Sequence, residues 1–434
     1  MQKSKKFCIF FAVYCKYFKK LLYLCSRFQF LTLIRMKEIQ RTSYLEWLSS
    51  WREKGIIKVI TGIRRCGKST LMRQFQRTLL NQGVMPDQII SLNFEDMTYS
   101  HLMTAKTLHD HIVSLLQNEK MNYIFLDEVQ LVSEFEKAVN SLYLRSNVDI
   151  YITGSNAHML SGELATLLSG RYVKINMLPL SFREYTQDLP YVYTKEYNDY
   201  ISSTSFPFKY QLSSLDEVRQ YVRDIYDTVM MRDVVTRYNI HDVNVLNNVA
   251  LFLADNIGNL TNPKRIADIL ASNGLKISPH TIDTYLEALT NCYLFYPAQR
   301  LSIKGTEILR SAGKYYLADI GLRNALLSSQ NADQGRILEN IVFLELLRRY
   351  YFKPIYVGQV GGAEIDFVCH NGENYEYYQV ALSVMNPDTL KRELAPLKAL
   401  KDHYPRFLIT LDPQPVIDHD GIKQIYAVDW LLGR

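Results

Sequence analysis

One stretch constrains this chain more than any other: Val59-Ile60-Thr61-Gly62-Ile63-Arg64-Arg65-Cys66-Gly67-Lys68-Ser69-Thr70. An apolar strand runs into Gly62, the spacing Gly-x-x-x-x-Gly-Lys-Ser follows, and helical periodicity begins with Leu71, Met72 and Phe75. Strand, glycine loop and helix in that succession make a phosphate-binding loop. The glycines let successive backbone N–H groups turn inward around an anion, and the helix adds the positive end of its dipole. The nucleotide site is therefore expected over Gly62, Ile63, Arg64, Arg65, Cys66, Gly67, Lys68, Ser69 and Thr70. Lys68 is expected to reach the β- and γ-phosphates of ATP, and the Ser69 hydroxyl to join a Mg²⁺ shell. Arg64 and Arg65 read as outward-facing structural residues.

A second segment makes the same case independently. Tyr123-Ile124-Phe125-Leu126-Asp127-Glu128 is an apolar run, as a buried parallel strand should be, and it ends in two carboxylates. Ligands of α/β sheets bind at the carboxyl ends of strands. There Asp127 is expected to hold Mg²⁺ through water, and Glu128 to orient or deprotonate the attacking water. A third strand ends in Thr153-Gly154-Ser155-Asn156. Two readings stand for it: Thr153 as a sensor of the γ-phosphate, or ordinary turn chemistry.

Charge and cysteine usage exclude several classes. The formal net charge is +6, but residues 1–35 hold eight Lys/Arg and no Asp or Glu, which leaves −2 for the rest. A basic footprint for nucleic acid is thus not a property of the body of the chain. Cys66, Cys292 and Cys369 are isolated, with no metal or disulfide spacing, and Cys8, Cys15 and Cys25 lie in the basic leader. That usage fits a reducing cytoplasm. Residues 1–35 resemble a signal peptide at first, but Lys16, Lys19 and Lys20 interrupt the apolar run and none reaches membrane-span length. The reading is an upstream leader with translation from Met36; a basic amphipathic membrane anchor is the alternative.

Strands alternating with helices imply an α/β fold with a parallel sheet. The P-loop core is expected over 36–210 and a helical lid over 211–244. Ser181 with Glu184, and Ser214 with Glu217, have capping-box spacing and read as helix starts. Asn262-Pro263 and Ser278-Pro279 open two short helices with an apolar face each. An apolar strand follows at 292–297, and Tyr315-Tyr316-Leu317 is placed to pair with it. Together these read as a winged helix over 245–330. A further α/β unit, 335–434, begins with a long helix and includes strands near 354–358, 364–369, 375–382, 406–412 and 422–429.

Gly-Ile-Arg-Arg-x-Gly-Lys-Ser-Thr, Phe-Leu-Asp-Glu-Val-Gln, Thr-Gly-Ser-Asn, Leu-Leu-Ser-Gly-Arg and Pro-Leu-Ser-Phe-Arg-Glu-Tyr occur in that order. The succession resembles the prokaryotic AAA-superfamily ATPases that carry a winged helix and a C-terminal domain of unknown function. The resemblance runs from about residue 36 to the end. It implies an AAA-type core and a restriction-endonuclease-like C-terminal fold. It also implies a role for Arg171, just before the strand 171–177, as an arginine that touches the nucleotide of a neighbouring subunit in a homo-oligomer. The competing reading is a surface arginine paired with a carboxylate.

The C-terminal unit departs from active restriction-like nucleases. Glu339, Asp366 and Gln379 take the acidic and Gln positions, but Ala381 stands where the lysine belongs. Without a cation to stabilise phosphorane charge, the site reads as degenerate; Lys391 is the one nearby substitute. The expected recognition helix, Ser278 to Glu287, has no Lys or Arg and presents Asp283 and Glu287, which phosphates repel. DNA is a weakly supported partner, and protein contact reads at least as well. The expectation is a cytoplasmic Mg²⁺-dependent ATPase. An ATP-regulated nuclease and a non-hydrolysing interaction protein are the alternatives.

Overall fold

The computed structural model describes residues 38–157, 167–187, 194–303, 307–327, 333–372 and 374–434. The leader 1–35 lies outside them. Strands β1 (Ile57–Thr61), β2 (Ile89–Asn93), β3 (Asn122–Asp127), β4 (Val148–Gly154) and β5 (Tyr172–Asn176) form a five-stranded sheet in the order β2-β3-β4-β1-β5. Every neighbouring pair is parallel. β1 and β3 are buried along their whole length, as strands covered by helices on both faces must be.

The alternation of side chains explains the two layers. On one face Val59, Ile124, Leu126 and Ile152 pack with Leu108 and Ile112 of α3 (Ala105–Leu115) and Val139 and Leu142 of α4 (Phe135–Tyr143). On the other, Phe125 and Tyr151 stack at 4.7 Å, and Phe75 of α2 (Lys68–Asn81) meets Tyr151 at 5.2 Å. A buried ion pair shares that second face. Lys58 donates to Asp149, which also accepts from the Tyr151 hydroxyl (2.7 Å) and the Glu53 N–H (3.1 Å). Helix α1 (Thr42–Ser50) precedes β1 in the chain and packs on α2.

Both expected cap serines open helices, but only the first forms the full reciprocal box, since Glu217 accepts from the Ser213 N–H and not from Ser214. Ser181 accepts from the Glu184 N–H at the start of α5 (Phe182–Thr186), with Glu184 reaching back to the Ser181 N–H. After α6 (Thr194–Ser202), Ser214 accepts from the Glu217 N–H at the start of α7 (Leu215–Thr228). Within the expected helical lid, α7 runs into a π-helical segment, Val229–Val235. Such segments cluster at functional sites. Helix α8 (Val243–Asp255) leads to α9 (Pro263–Ser272) and α10 (Pro279–Asn291), capped by Asn262 and Ser278 as their prolines require. Ile266 and Leu270 of α9, and Ile282, Tyr285, Leu286 and Leu289 of α10, are buried.

The hairpin read as a wing is longer than expected and belongs to a larger sheet. β6 (Phe295–Ser302) pairs antiparallel with β7 (Glu307–Leu317), and the second half of β6 pairs in parallel with β8 (Ile355–Val360). β9 (Ala363–Asn371), β10 (Asn374–Ala381), β11 (Arg406–Thr410), β12 (Ile417–His419) and β13 (Ile422–Tyr426) complete eight strands in the order β12-β13-β11-β10-β9-β8-β6-β7. The boundary drawn at 330 therefore crosses one continuous sheet. α11 (Ile320–Leu326) follows β7, and α12 (Gln334–Arg349) and α13 (Pro387–Lys398) pack against the sheet. The chain read as strand to 429 turns helical at Ala427, as α14 (Ala427–Leu432). Among the described residues no helix is long and apolar enough to cross a membrane.

Candidate functional site

The loop after β1 is shaped by close backbone approaches. At Gly62 (φ 147°) a Cβ would lie 2.2 Å from the Met177 carbonyl oxygen, so no side chain fits. Met177 donates its N–H to the Thr61 carbonyl, which pins the chain leaving β5 against the loop. Gly67 adopts φ 107° at the N-cap of α2, a conformation that disfavours any residue with a Cβ. Ile63 and Cys66 are fully buried, Arg65 is exposed with φ 65°, and Thr70 accepts from Arg73. Lys68 is buried. Its ammonium donates to the Gly62 (3.1 Å) and Ile63 (3.4 Å) carbonyls and lies 3.5 Å from Glu128 Oε1. Burial is the largest single effect and opposes its charge, but Glu128 first, with Cys66 and Asp127 behind it, together outweigh burial, and the Lys68 pKa is raised.

Strand order brings the acidic pair to that ammonium. β4 separates β1 from β3, and the register Leu126↔Ile152 sets Asp127 beside Thr153. The Thr153 hydroxyl, fully buried, accepts from the Glu128 N–H (2.9 Å) and donates to Asp127 Oδ1. One side chain thus fixes both carboxylate residues. Glu128 sits in the left-handed region (φ 53°). Such a conformation costs on the order of 1 kcal/mol and persists where surroundings over-determine it. Burial works against the Glu128 charge, yet Lys68, Gln130 and Arg64 hold its pKa below the ordinary value. It is a carboxylate at neutral pH.

Arg64 is not outward-facing. Its guanidinium makes a two-pronged pair with the buried Asp233 (2.6 and 3.1 Å) of the π-helical segment and also reaches Glu95 (3.3 Å). The Asp233 carbonyl accepts from the Cys292 thiol (3.0 Å) at the end of α10, and Cys292 sulfur accepts from Asn156 (3.2 Å) after β4. The loop, the strand end that carries Thr153 and the helix pair are joined through these four residues. Nothing in the sequence around Asp233 signals this pairing.

Arg171 is not brought to the loop. Its carbonyl accepts from the Ile57 N–H at the amino end of β1 (2.9 Å), the far edge of the sheet. The length of β1 separates it from Gly62 by roughly 17 Å, at about 3.3 Å per residue. Its guanidinium donates to Asn140 and lies 5.6 Å from the Tyr143 ring. In its own chain it does not act on Lys68 or Glu128.

The C-terminal carboxylates do have a cation, from an unexpected strand. Lys314 of β7 lies 2.8 Å from Glu339 and from Glu364 and 3.3 Å from Asp366. Three carboxylates match its three N–H donors. Tyr316, two residues on and so on the same strand face, donates to Glu339 (2.6 Å). Gln379 accepts from the Asp366 N–H (3.3 Å) and donates to Glu393 (2.9 Å). Ala381 is in the apolar core, and Lys391 is exposed. Burial first, and Glu339 next, push the Asp366 pKa up to about 7 despite Lys314. Among the described residues no group of His, Cys, Asp and Glu forms a metal site.

A parallel sheet with a P-loop after β1 and paired acids after β3 defines an AAA-type P-loop ATPase fold. An AAA domain family matches residues 54–186, and a domain of unknown function matches 194–333. Over 402 residues the chain is 39% identical to an uncharacterised protein of Haemophilus influenzae, covering 91% of this chain and 98% of that one. An uncharacterised protein of Methanocaldococcus jannaschii is 33% identical over 364 residues, covering 80% and 79%. The chain belongs to the family that these relatives represent. Among solved structures, a Walker-type ATPase of Pyrococcus abyssi aligns with 67% of this chain and 97% of its own, at 16% identity and a TM-score of 0.46.

Proposed function

We propose that this protein is a Mg²⁺-dependent ATPase that works as a nucleotide-driven switch. The observation that carries the reading is the convergence of Lys68, Asp127, Glu128 and Thr153 at the carboxyl ends of three adjacent strands. The loop N–H groups and Lys68 bind the phosphates. Ser69 and Asp127 offer hard oxygen ligands of the kind Mg²⁺ takes, and they would hold it. When bound, that ion neutralises phosphate charge. Glu128, kept ionised, orients water and accepts its proton. Thr153 keeps Asp127 and Glu128 in register for both tasks.

The switch part of the proposal rests on Arg64. A loop residue that pairs with Asp233 gives phosphate occupancy a direct handle on the lid, and through Cys292 on the helix pair. The exposed side chains of α10 include Asp283 and Glu287, which supports a protein contact over a duplex. Lys314 donates to Glu339 and Asp366 and is ion-paired with Glu364, which supports a structural cluster over a cleavage site. The proposed setting is cytoplasmic.

A phosphate-release assay with Mg²⁺-ATP tests the reading. Wild type is expected to turn over, Glu128→Gln to bind ATP with at least a hundredfold lower kcat, and Lys68→Ala to lose binding. Equal ATP affinity in wild type and Lys68→Ala, by calorimetry, sinks the assignment.

A further inference from the structure

Arg41 immediately precedes α1, outside the strand–loop–helix that marks the nucleotide site, yet it is 3% exposed and touches that loop. Its Nη1 donates to the Cys66 carbonyl (3.1 Å), its Nη2 to the Leu178 carbonyl (2.8 Å) and its Nε to Glu184 Oε1 (2.8 Å). The guanidinium also lies 4.8 Å from the Tyr44 ring, and the Tyr44 hydroxyl accepts from the Leu178 N–H (3.2 Å). One rigid fork therefore ties three separate pieces of chain: the phosphate loop, the segment leaving β5, and the start of α5.

We propose that Arg41 is a positioning residue for phosphate binding: by holding the Cys66 carbonyl on the outer side of the loop, it aims the Gly67 N–H inward at the anion. The inference rests on the nucleotide reading above. The peptide between Cys66 and Gly67 is planar and trans, so its C=O and N–H point in opposite directions. Fixing the oxygen fixes the hydrogen. Gly67, with no side chain and φ 107°, is otherwise free to rotate that peptide. Arg41 also grips the Leu178 carbonyl, one residue beyond the Met177 carbonyl that crowds Gly62. The same guanidinium thus steadies both glycine ends of the loop. Lys cannot replace it, because an ammonium lacks the planar fork that meets two carbonyls and a carboxylate at once.

The test compares Arg41→Lys, Arg41→Met and Glu184→Gln in the full chain by calorimetry with Mg²⁺-ATP and Mg²⁺-ADP, together with kcat at saturating ATP. Glu184→Gln removes the ion pair but leaves the Cys66 carbonyl bond, so it reports on the fold alone. The expected result is a tenfold or greater loss of affinity in both Arg41 variants, equal for ATP and ADP. kcat should stay within about threefold of wild type, and Glu184→Gln within twofold in affinity. If Arg41→Met does not fold, Arg41→Lys carries the test. Wild-type affinity in Arg41→Lys overturns the proposal, as does an equal loss in Glu184→Gln. A wild-type protein that binds neither nucleotide overturns the ATPase reading first, and this inference with it.

Discussion

Asp366 shows how a single carboxyl carries the energetics of its surroundings. Its pKa is pushed from the ordinary 3.8 up to about 7 by burial and by Glu339. A carboxyl whose folded pKa is raised stabilises the fold below its unfolded pKa, and loses that contribution as pH rises through the folded value. Stability of wild type relative to Asp366→Asn is therefore expected to fall between about pH 4 and 7, by up to about 4 kcal/mol for three pH units. Denaturant unfolding of the two proteins across that range checks it; a pH-independent difference removes the coupling. The residues of the phosphate loop and the Asp127–Glu128 pair were legible because their chemistry dictates residue type and spacing. Arg41, Asp233 and Lys314 were not. Each hydrogen-bonds side chains or carbonyls 25 or more positions away, and no local pattern marks such long-range pairing.

Elements were legible where periodicity and caps agreed. The prolines after Asn262 and Ser278 placed α9 and α10 almost to the residue. The π-helical segment was not, because its sequence keeps the helical rhythm and only Asp233's partner reveals why the segment matters. β1 and β4 also hide a polar link within apolar strands. Lys58 and Asp149 are 0% and 2% exposed, and burial lowers the Lys58 pKa against the pull of Asp149. Removing one partner of such a pair leaves a buried charge, at a cost of about 3–5 kcal/mol. Lys58→Met is expected to destabilise near the lower end, since Tyr151 and the Glu53 N–H still reach Asp149. Lys58→Met with Asp149→Asn should recover part of it. Thermal unfolding distinguishes the outcomes, and a Lys58→Met midpoint equal to wild type contradicts the argument.

At the scale of the whole molecule, the alternation of strands and helices announces an α/β fold, but the order of strands depends on crossovers that leave no periodic trace. The position of Arg171 at the far edge of the first sheet gives the assembly question a sharp form. If Arg171 serves a neighbour's nucleotide, activity per protomer rises with concentration, and mixing Arg171→Ala with Glu128→Gln restores some turnover. If its hydrogen bond to Asn140 and its contact with the Tyr143 ring are its whole role, the mixture stays inert. Activity of a verified mixed oligomer decides between the two. The long β6–β7 hairpin governs where such a chain can be cut or grafted. A fragment starting at 335 lacks β6, which bares the edge of β8 to any passing strand, and it leaves three carboxylates without their ammonium. The region downstream of the ATPase core is therefore a poor currency for recombination in pieces: helix pair, hairpin and C-terminal strands must be inherited as one block.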